Sequence, residues 1–517
     1  MKNRINSFLL AALLGLGAQT QANVKPNSLF TDNFVLQRNV EVPVWGTADS
    51  GEKVSVEFNG QKVEIVAANG KWMVKLKAMK ENAVAQNMII KGNNSVAVKN
   101  ILVGEVWLCS GQSNMGFPLR SLRPIGTNAS LREVLADAQN YPNIRQFTVP
   151  TKKTTATPDL SEDANGKWYV CDSVKAKNFT AVGYLFAREL YKNINLPIGI
   201  IQSAYGGTKI ENWISKEVLE SDPVSQDVIA KYEKSLENYP AVLEKYKTSE
   251  PQLWEKFRAD SAIAVSLKKE LPRKPSAPQH PAERGGVSGL YNSMIHPLIP
   301  YAMKGVVWYQ GEANASLGIQ YRTLLPQLIS DWRAKWGVEL PILIVQIPGW
   351  KAHKPELKEA QLLTWQKTPK TAMTVTYDAD DTLDVHPGNK QPIGERLALA
   401  ARAVAYGDKE EYSGPIYESM KVDGNKIILT FTHGAKSLVA KNGDLKDFTI
   451  AGEDKKFVPA KAEIKKNTVI VSAAGIDKPV AVRAGWRLCP QMNLYNNENL
   501  PASPFRTDDW DTSKLKY

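Results

Sequence analysis

Cysteine is nearly missing from this chain: Cys109, Cys171 and Cys489 are the three in 517 residues. That excludes a disulfide-stapled scaffold and allows one cross-link at most, with a thiol left over. Histidine is also scarce, at five residues. With no H-E-x-x-H and no spaced Cys/His set, a metal centre is not expected, and the sequence calls for no cofactor. The acidic run Asp378–Asp384 is the sole cation candidate. Beyond the N-terminus no apolar stretch is long enough to cross a bilayer, so no membrane-inserted helix is expected. The net charge is +12, yet the lysines are dispersed and no basic helix carries interleaved aromatics. A nucleic-acid partner is therefore not expected, and a weak attraction to acidic glycans is the most the charge implies. Internal repeats and low-complexity segments are absent too.

The first residues read as an export signal. Lys2 and Arg4 precede an apolar stretch from Phe8 to Ala18, and Thr20-Gln21-Ala22 forms a small-residue cleavage site. Cleavage there predicts a periplasmic or secreted protein beginning at Asn23. No cysteine follows the site to take a lipid anchor. The sequence does not fix the oligomeric state.

A chain this long exceeds one hydrophobic core and suggests about two to four domains. Between residues 23 and 100 short alternating strands recur, as in Lys53-Val54-Ser55-Val56-Glu57-Phe58 and Lys71-Trp72-Met73-Val74-Lys75-Leu76. They predict a small β-sandwich, with Pro43 marking an edge strand. Residues 101–410 alternate strands with helices: Ile198 to Gln202 and Pro341 to Gln346 read as buried parallel strands, Tyr321 to Trp336 and Gln391 to Ala405 as amphipathic helices. This predicts a three-layer α/β domain with its chemistry at the carboxyl ends of the strands. Within it, residues 216–285 form a charged and then Pro-rich insertion placed to cover the active-site entrance. Residues 411–517 return to β, giving a second small sandwich and a tail that packs back on the rest.

One turn carries the chemistry. The strand Val106 to Cys109 runs into Ser110-Gly111-Gln112-Ser113-Asn114-Met115, with Ser113 at the apex. A serine hydroxyl needs a base. His280, His296, His353 and His433 lie in connecting, packed or remote contexts. His386, in Asp378-Ala379-Asp380-Asp381-Thr382-Leu383-Asp384-Val385-His386-Pro387-Gly388, has carboxylates at hand to orient its ring.

The serine turn has no glycine two residues on, so it differs from the G-x-S-x-G elbow. It resembles the first block of the SGNH hydrolases. Three more segments resemble later blocks in the same order: Tyr205-Gly206-Gly207-Thr208-Lys209-Ile210-Glu211-Asn212-Trp213, then Trp308-Tyr309-Gln310-Gly311-Glu312-Ala313-Asn314, then Asp384-Val385-His386-Pro387. Together they are similar to the sialate O-acetylesterase group, which includes acetylxylan esterases. The resemblance runs from about Gly104 to Arg402. It implies an SGNH, flavodoxin-like, three-layer domain flanked by small β-sandwiches, and a serine esterase that removes acetyl groups from a glycan. Sialate is the first substrate implied, acetylated xylan or another plant glycan the second; a secreted, non-catalytic glycan-binding protein is the alternative from another class.

The resemblance also implies roles. Ser113 is the nucleophile, His386 the base, and the backbone N–H of Ser113, the N–H of Gly206 or Gly207 and the Asn314 side chain hold the oxyanion. The usual spacing of acid and base is three residues, but Leu383 stands there. Asp384 is the nearest acid, with Asp380 and Asp381 the alternatives. Gln112, Glu312 and Trp213 are candidate substrate contacts.

Overall fold

The computed structural model describes residues 23–512 and 515, apart from residues 125, 127, 435 and 436. The expected signal segment, 1–22, lies outside the described residues. At the centre is a mixed sheet whose main path has seven strands. In chain order these are β1 (Ser95–Gly111), β2 (Ile144–Thr148), β3 (Lys167–Val170), β4 (Ile198–Ala204), β5 (Gly305–Tyr309), β6 (Ile342–Val345) and β7 (Thr371–Thr374). Across the sheet they lie β3-β2-β4-β1-β5-β6-β7. All are parallel except β3, which pairs antiparallel with β2 at the edge.

These strands read as unbroken apolar runs because both faces are covered. Val106, Leu108, Val306, Trp308, Ile342 and Ile344 belong to one buried cluster, and their alternating neighbours Trp107, Cys109, Val307, Tyr309, Leu343 and Val345 to another. Helices α1 (Ala181–Ile194) and α5 (Gln391–Tyr406) cover the second face. Helices α3 (Gly318–Trp336) and α4 (Pro355–Lys367) cover the first. The expected Tyr321 and Gln391 helices are both present. Helix α2 (Pro223–Ser266), 44 residues long, forms most of the insertion.

The N-terminal strands are not a bead tied on by a linker. Strand β1 is 17 residues long, and its first half pairs with Asn82–Lys91 and Val35–Gln37 before its second half enters the parallel sheet. Beside it, Lys25–Pro26, Val42–Thr47 and Lys71–Leu76 form a separate three-stranded sheet. There Val42–Thr47 is the middle strand rather than the expected edge. Lys25–Pro26 pairs with Thr47 and Gly46, so among the described residues one side of Pro43 has no strand neighbour, which a residue without an N–H tolerates.

Past residue 411 two four-stranded sheets and a two-stranded ribbon follow. The tail returns to the central layers: Arg506 Nε donates to Glu359 on α4 at 2.6 Å, and Gln346 Nε2 to the Ser503 hydroxyl at 2.9 Å. All three cysteines are free, Cys109 and Cys171 buried and Cys489 partly so.

Candidate active site

Strand β1 delivers its last residue, Gly111, against the end of β5. Gly111 has φ +139, and a Cβ there would lie 2.1 Å from the Tyr309 carbonyl oxygen, so only glycine permits the approach. The Gln112 N–H then donates to that carbonyl at 3.1 Å. The Gln112 side chain accepts from Gln310 Nε2 at 3.2 Å and from the Ala313 N–H at 3.3 Å, tying the serine turn to the third block. Ser113 opens the single helical turn Ser113–Gly116, where backbone N–H groups are left free at the start.

The base comes from the loop after β7. His386 Nε2 lies 2.7 Å from Ser113 Oγ. The loop is held against the serine turn by Asn114, whose Nδ2 donates to the Val385 carbonyl at 3.0 Å and to Glu312 at 2.5 Å, while its Oδ1 accepts from Lys390 Nζ at 2.6 Å. Arg123 makes a second clamp. Its Nη2 donates to Asp384 at 2.5 Å and to the His386 carbonyl at 3.0 Å, and its backbone N–H to Gly388 at 2.9 Å.

Of the three candidate acids, Asp384 alone approaches the imidazole, with Oδ1 4.0 Å from Nδ1. Asp380 accepts from the Gly349 N–H at 2.7 Å, and Asp381 from the Leu383 N–H at 3.0 Å. Asp378 pairs with Arg396 at 2.6 Å. The acidic run is thus dispersed among separate partners.

Burial lowers the His386 pKa, outweighing the opposite pull of Asp384, so the ring is held toward its neutral, proton-accepting form. Burial acts to raise the Asp384 pKa, but the His386 N–H and the Arg123 guanidinium overcome it and hold the carboxyl below its ordinary range. Behind the serine, burial raises Glu312 and lowers Lys390, and the two face one another through Asn114.

A cavity of about 680 Å³ opens over Ser113, walled by His386, Asp384, Arg123, Tyr205 and Gly206 among others. A Cβ on Gly206 would stand 3.2 Å from Ser113 Cβ, whereas Gly207 faces a different cavity on the far side of the turn.

Other expected contacts are placed elsewhere. Trp213 is fully buried, edge-on to Trp308 and donating to Thr208 at 3.1 Å. It is core, and correcting its candidacy as a sugar contact follows from that burial. Gln112 is 3% exposed and braces the loops. The Glu312 carboxylate faces Asn114, with Oε2 buried and unpaired. Asn314 is fully buried and lies outside the wall of the Ser113 cavity: its Nδ2 donates to Glu211 at 3.0 Å and its Oδ1 accepts from the Ile210 N–H at 2.9 Å. The insertion does not roof Ser113 either. Its residues wall the neighbouring cavity, and none lines the one that holds the serine.

Four residues that touch this machinery were not legible as candidates. Asn114 sits inside the first motif and Lys390 three residues past the fourth, and their nearness in sequence to Ser113 and His386 is the signal that could have marked them. Arg123 and Arg284 stand outside every motif.

Known proteins resemble this chain over most of its length. A family model described as carbohydrate esterase, sialic acid-specific acetylesterase, matches residues 103–255 and 281–402. The sialate O-acetylesterase of Mus musculus is 30% identical over 537 residues, spanning 92% of this chain and 93% of its own. That of Homo sapiens is 30% identical over 535 residues, spanning 92% and 91%. A crystal structure of a carbohydrate acetylesterase from Xanthomonas citri superposes with a TM-score of 0.76 at 34% identity, covering 94% of this chain and 100% of that one.

Proposed function

The chain belongs to the sialic acid-specific acetylesterase family of carbohydrate esterases, and from that premise we propose that it cleaves O-acetyl groups from sialic acids through an acetyl-enzyme on Ser113. The observation that carries this reading is the 2.7 Å contact between Ser113 Oγ and His386 Nε2 at the floor of an open cavity. A hydroxyl bonded to a neutral imidazole can lose its proton as it attacks.

In this mechanism Ser113 Oγ attacks the acetyl carbon and its proton passes to His386 Nε2. The negative charge on the former carbonyl oxygen is met by the Ser113 N–H and the N–H of Gly206 or Gly207; Asn314, expected as a third donor, is buried on Glu211 and Ile210 and braces the neighbouring loop instead. Asp384 supports the imidazolium charge. Collapse breaks the bond to the sugar oxygen, which takes the proton from His386 as it leaves. Water, deprotonated by His386, then attacks the acetyl-enzyme; acetate leaves and Ser113 regains its proton.

The sheet order supports an SGNH, flavodoxin-like reading of the central unit: numbered among themselves in chain order, β1, β4, β5, β6 and β7 lie 2-1-3-4-5. The β units on either side of it are read as small sandwiches, and export follows from the N-terminal pattern.

The test compares acetate release by the wild type and Ser113→Ala on p-nitrophenyl acetate, acetylated sialoglycan and acetylated xylan. Undiminished release by Ser113→Ala would sink the nucleophile. Release from xylan but not from sialoglycan would move the substrate to plant glycans.

A further inference from the structure

We infer that Arg284 is a positioning residue for the oxyanion site, setting from behind the peptide that joins Gly206 to Gly207. The inference rests on Ser113 being the nucleophile.

The Gly206-Gly207 turn is a thin wall between two cavities. On one side Gly206 lies against Ser113. On the other is a cavity of about 480 Å³, lined by Gly207 and by Arg284, Tyr232 and His280 from the insertion. Arg284 Nη1 donates to the Gly206 carbonyl oxygen at 2.9 Å. The same atom occupies the space a side chain at 207 would need: a Cβ there would lie 1.6 Å from Nη1, and Gly207 has φ +68. Gly207 is therefore required twice, by its backbone conformation and by the guanidinium packed on it.

The geometry of the peptide does the rest. In a trans peptide the C=O of one residue and the N–H of the next point in opposite directions. The Gly206 C=O points at Arg284, so the Gly207 N–H points away from the guanidinium, and with Gly206 packed on Ser113 this is read as the Ser113 side. That N–H makes no hydrogen bond among the described residues. A cation bonded to the carbonyl also polarises the amide and strengthens its N–H as a donor. Glu283, the adjacent carboxylate, is paired with Lys153 at 2.7 Å, and Asn212 Nδ2 holds the Arg284 carbonyl at 3.2 Å. Arg284 thus reaches the oxyanion without touching substrate.

The experiment measures kcat and KM on p-nitrophenyl acetate, and the affinity of a tetrahedral boronate mimic, for the wild type, Arg284→Met and Arg284→Lys. Loss of a whole oxyanion donor costs about 10²–10³ in kcat, so misaiming one is expected to lower kcat by roughly 10–100-fold in Arg284→Met. KM should stay within about twofold, the boronate should weaken by the same factor as kcat, and Arg284→Lys, which keeps a donor, should lie between. Added guanidinium should restore part of the Arg284→Met rate. A kcat and boronate affinity within about twofold of wild type in Arg284→Met, or a raised KM at unchanged kcat, would overturn the inference. If Arg284→Met does not fold, Arg284→Lys decides: wild-type kcat and boronate binding overturn it, a lower kcat at unchanged KM sustains it. An inactive Ser113→Ala beside a normal Arg284→Met removes this inference alone; an active Ser113→Ala removes the nucleophile as well.

Discussion

Asp384 meets His386 more closely through the backbone than through the ring: Oδ1 accepts from the His386 N–H at 2.8 Å and lies 4.0 Å from Nδ1. The other oxygen is held by Arg123. The carboxylate therefore fixes the loop that carries the base and at the same time stands within ionic reach of the imidazole. In free enzymes such contacts are often long and tighten when substrate binds.

Replacing Asp384 by Asn keeps an acceptor for the His386 N–H and removes the charge. Turnover is expected to fall by up to about 10⁴, as when the acid of a serine triad is made neutral, with the fold retained. Asp380→Asn and Asp381→Asn should keep most of their activity, since neither carboxylate touches His386. Rate measurements with melting curves on all three variants check this; loss of activity in either of the latter two at full Asp384→Asn activity would move the acid upstream.

His386 must be neutral to accept the serine proton, so kcat/KM falls as pH drops through its pKa. That pKa is lowered by burial, which places the acid limb below 6.5, the ordinary value for histidine. Asp384 raises the His386 pKa and Lys390 lowers it. Removing the first charge with Asp384→Asn should move the limb to lower pH, and removing the second with Lys390→Met to higher pH. A pH–rate profile of each variant tests the signs, and movement of both in one direction contradicts the assignment.

Stability has its own proton. His353 is 1% exposed, its Nδ1 bonded to the Pro348 carbonyl, and burial depresses its pKa from 6.5 to about 4. Above pH 6.5 the ring is neutral in both folded and unfolded chains and contributes no difference. As pH falls from 6.5 toward 4 the unfolded chain takes a proton that the folded one refuses. Stability is then lost, by about 3 kcal/mol in all. His353→Gln, which can still donate to Pro348, should flatten this part of the curve in urea unfolding measured at pH 7 and pH 4.5.

Trp213 separates core from binding site. Truncation of a fully buried tryptophan costs about 3–5 kcal/mol, so Trp213→Ala should lower the melting temperature sharply. Trp213→Phe should retain KM for an acetylated glycan. A raised KM at unchanged stability would instead place the indole at the substrate.

How far the sequence foretold this follows from what each residue needed. The strands of the central sheet were legible because burial on both faces demands apolar runs such as Ile342 to Val345. Ser113 and His386 were legible because a turn after a strand and a loop with carboxylates are local features. Trp213 was misplaced because membership of a motif says nothing of which way a side chain turns, and here the indole closes against Trp308. Arg284 was invisible: its partner Gly206 is 78 residues away along the chain, and one hydrogen bond leaves no periodic mark. The boundary at residue 100 was drawn from a change in patterning, and strand β1 runs through it.

That strand ties the N-terminal unit to the nucleophile. From Ile101 to Gly111 every residue of β1 is buried, and the strand whose first half pairs with the N-terminal strands ends, at the close of its second half, two residues before Ser113. A recombination point between the two regions would cut through a shared strand, so a replacement front portion would have to supply a first half that continues into the same second half. The front portion lends no side chain to the cavity, yet the nucleophile's height above the sheet is a measurement taken from its end of the ribbon.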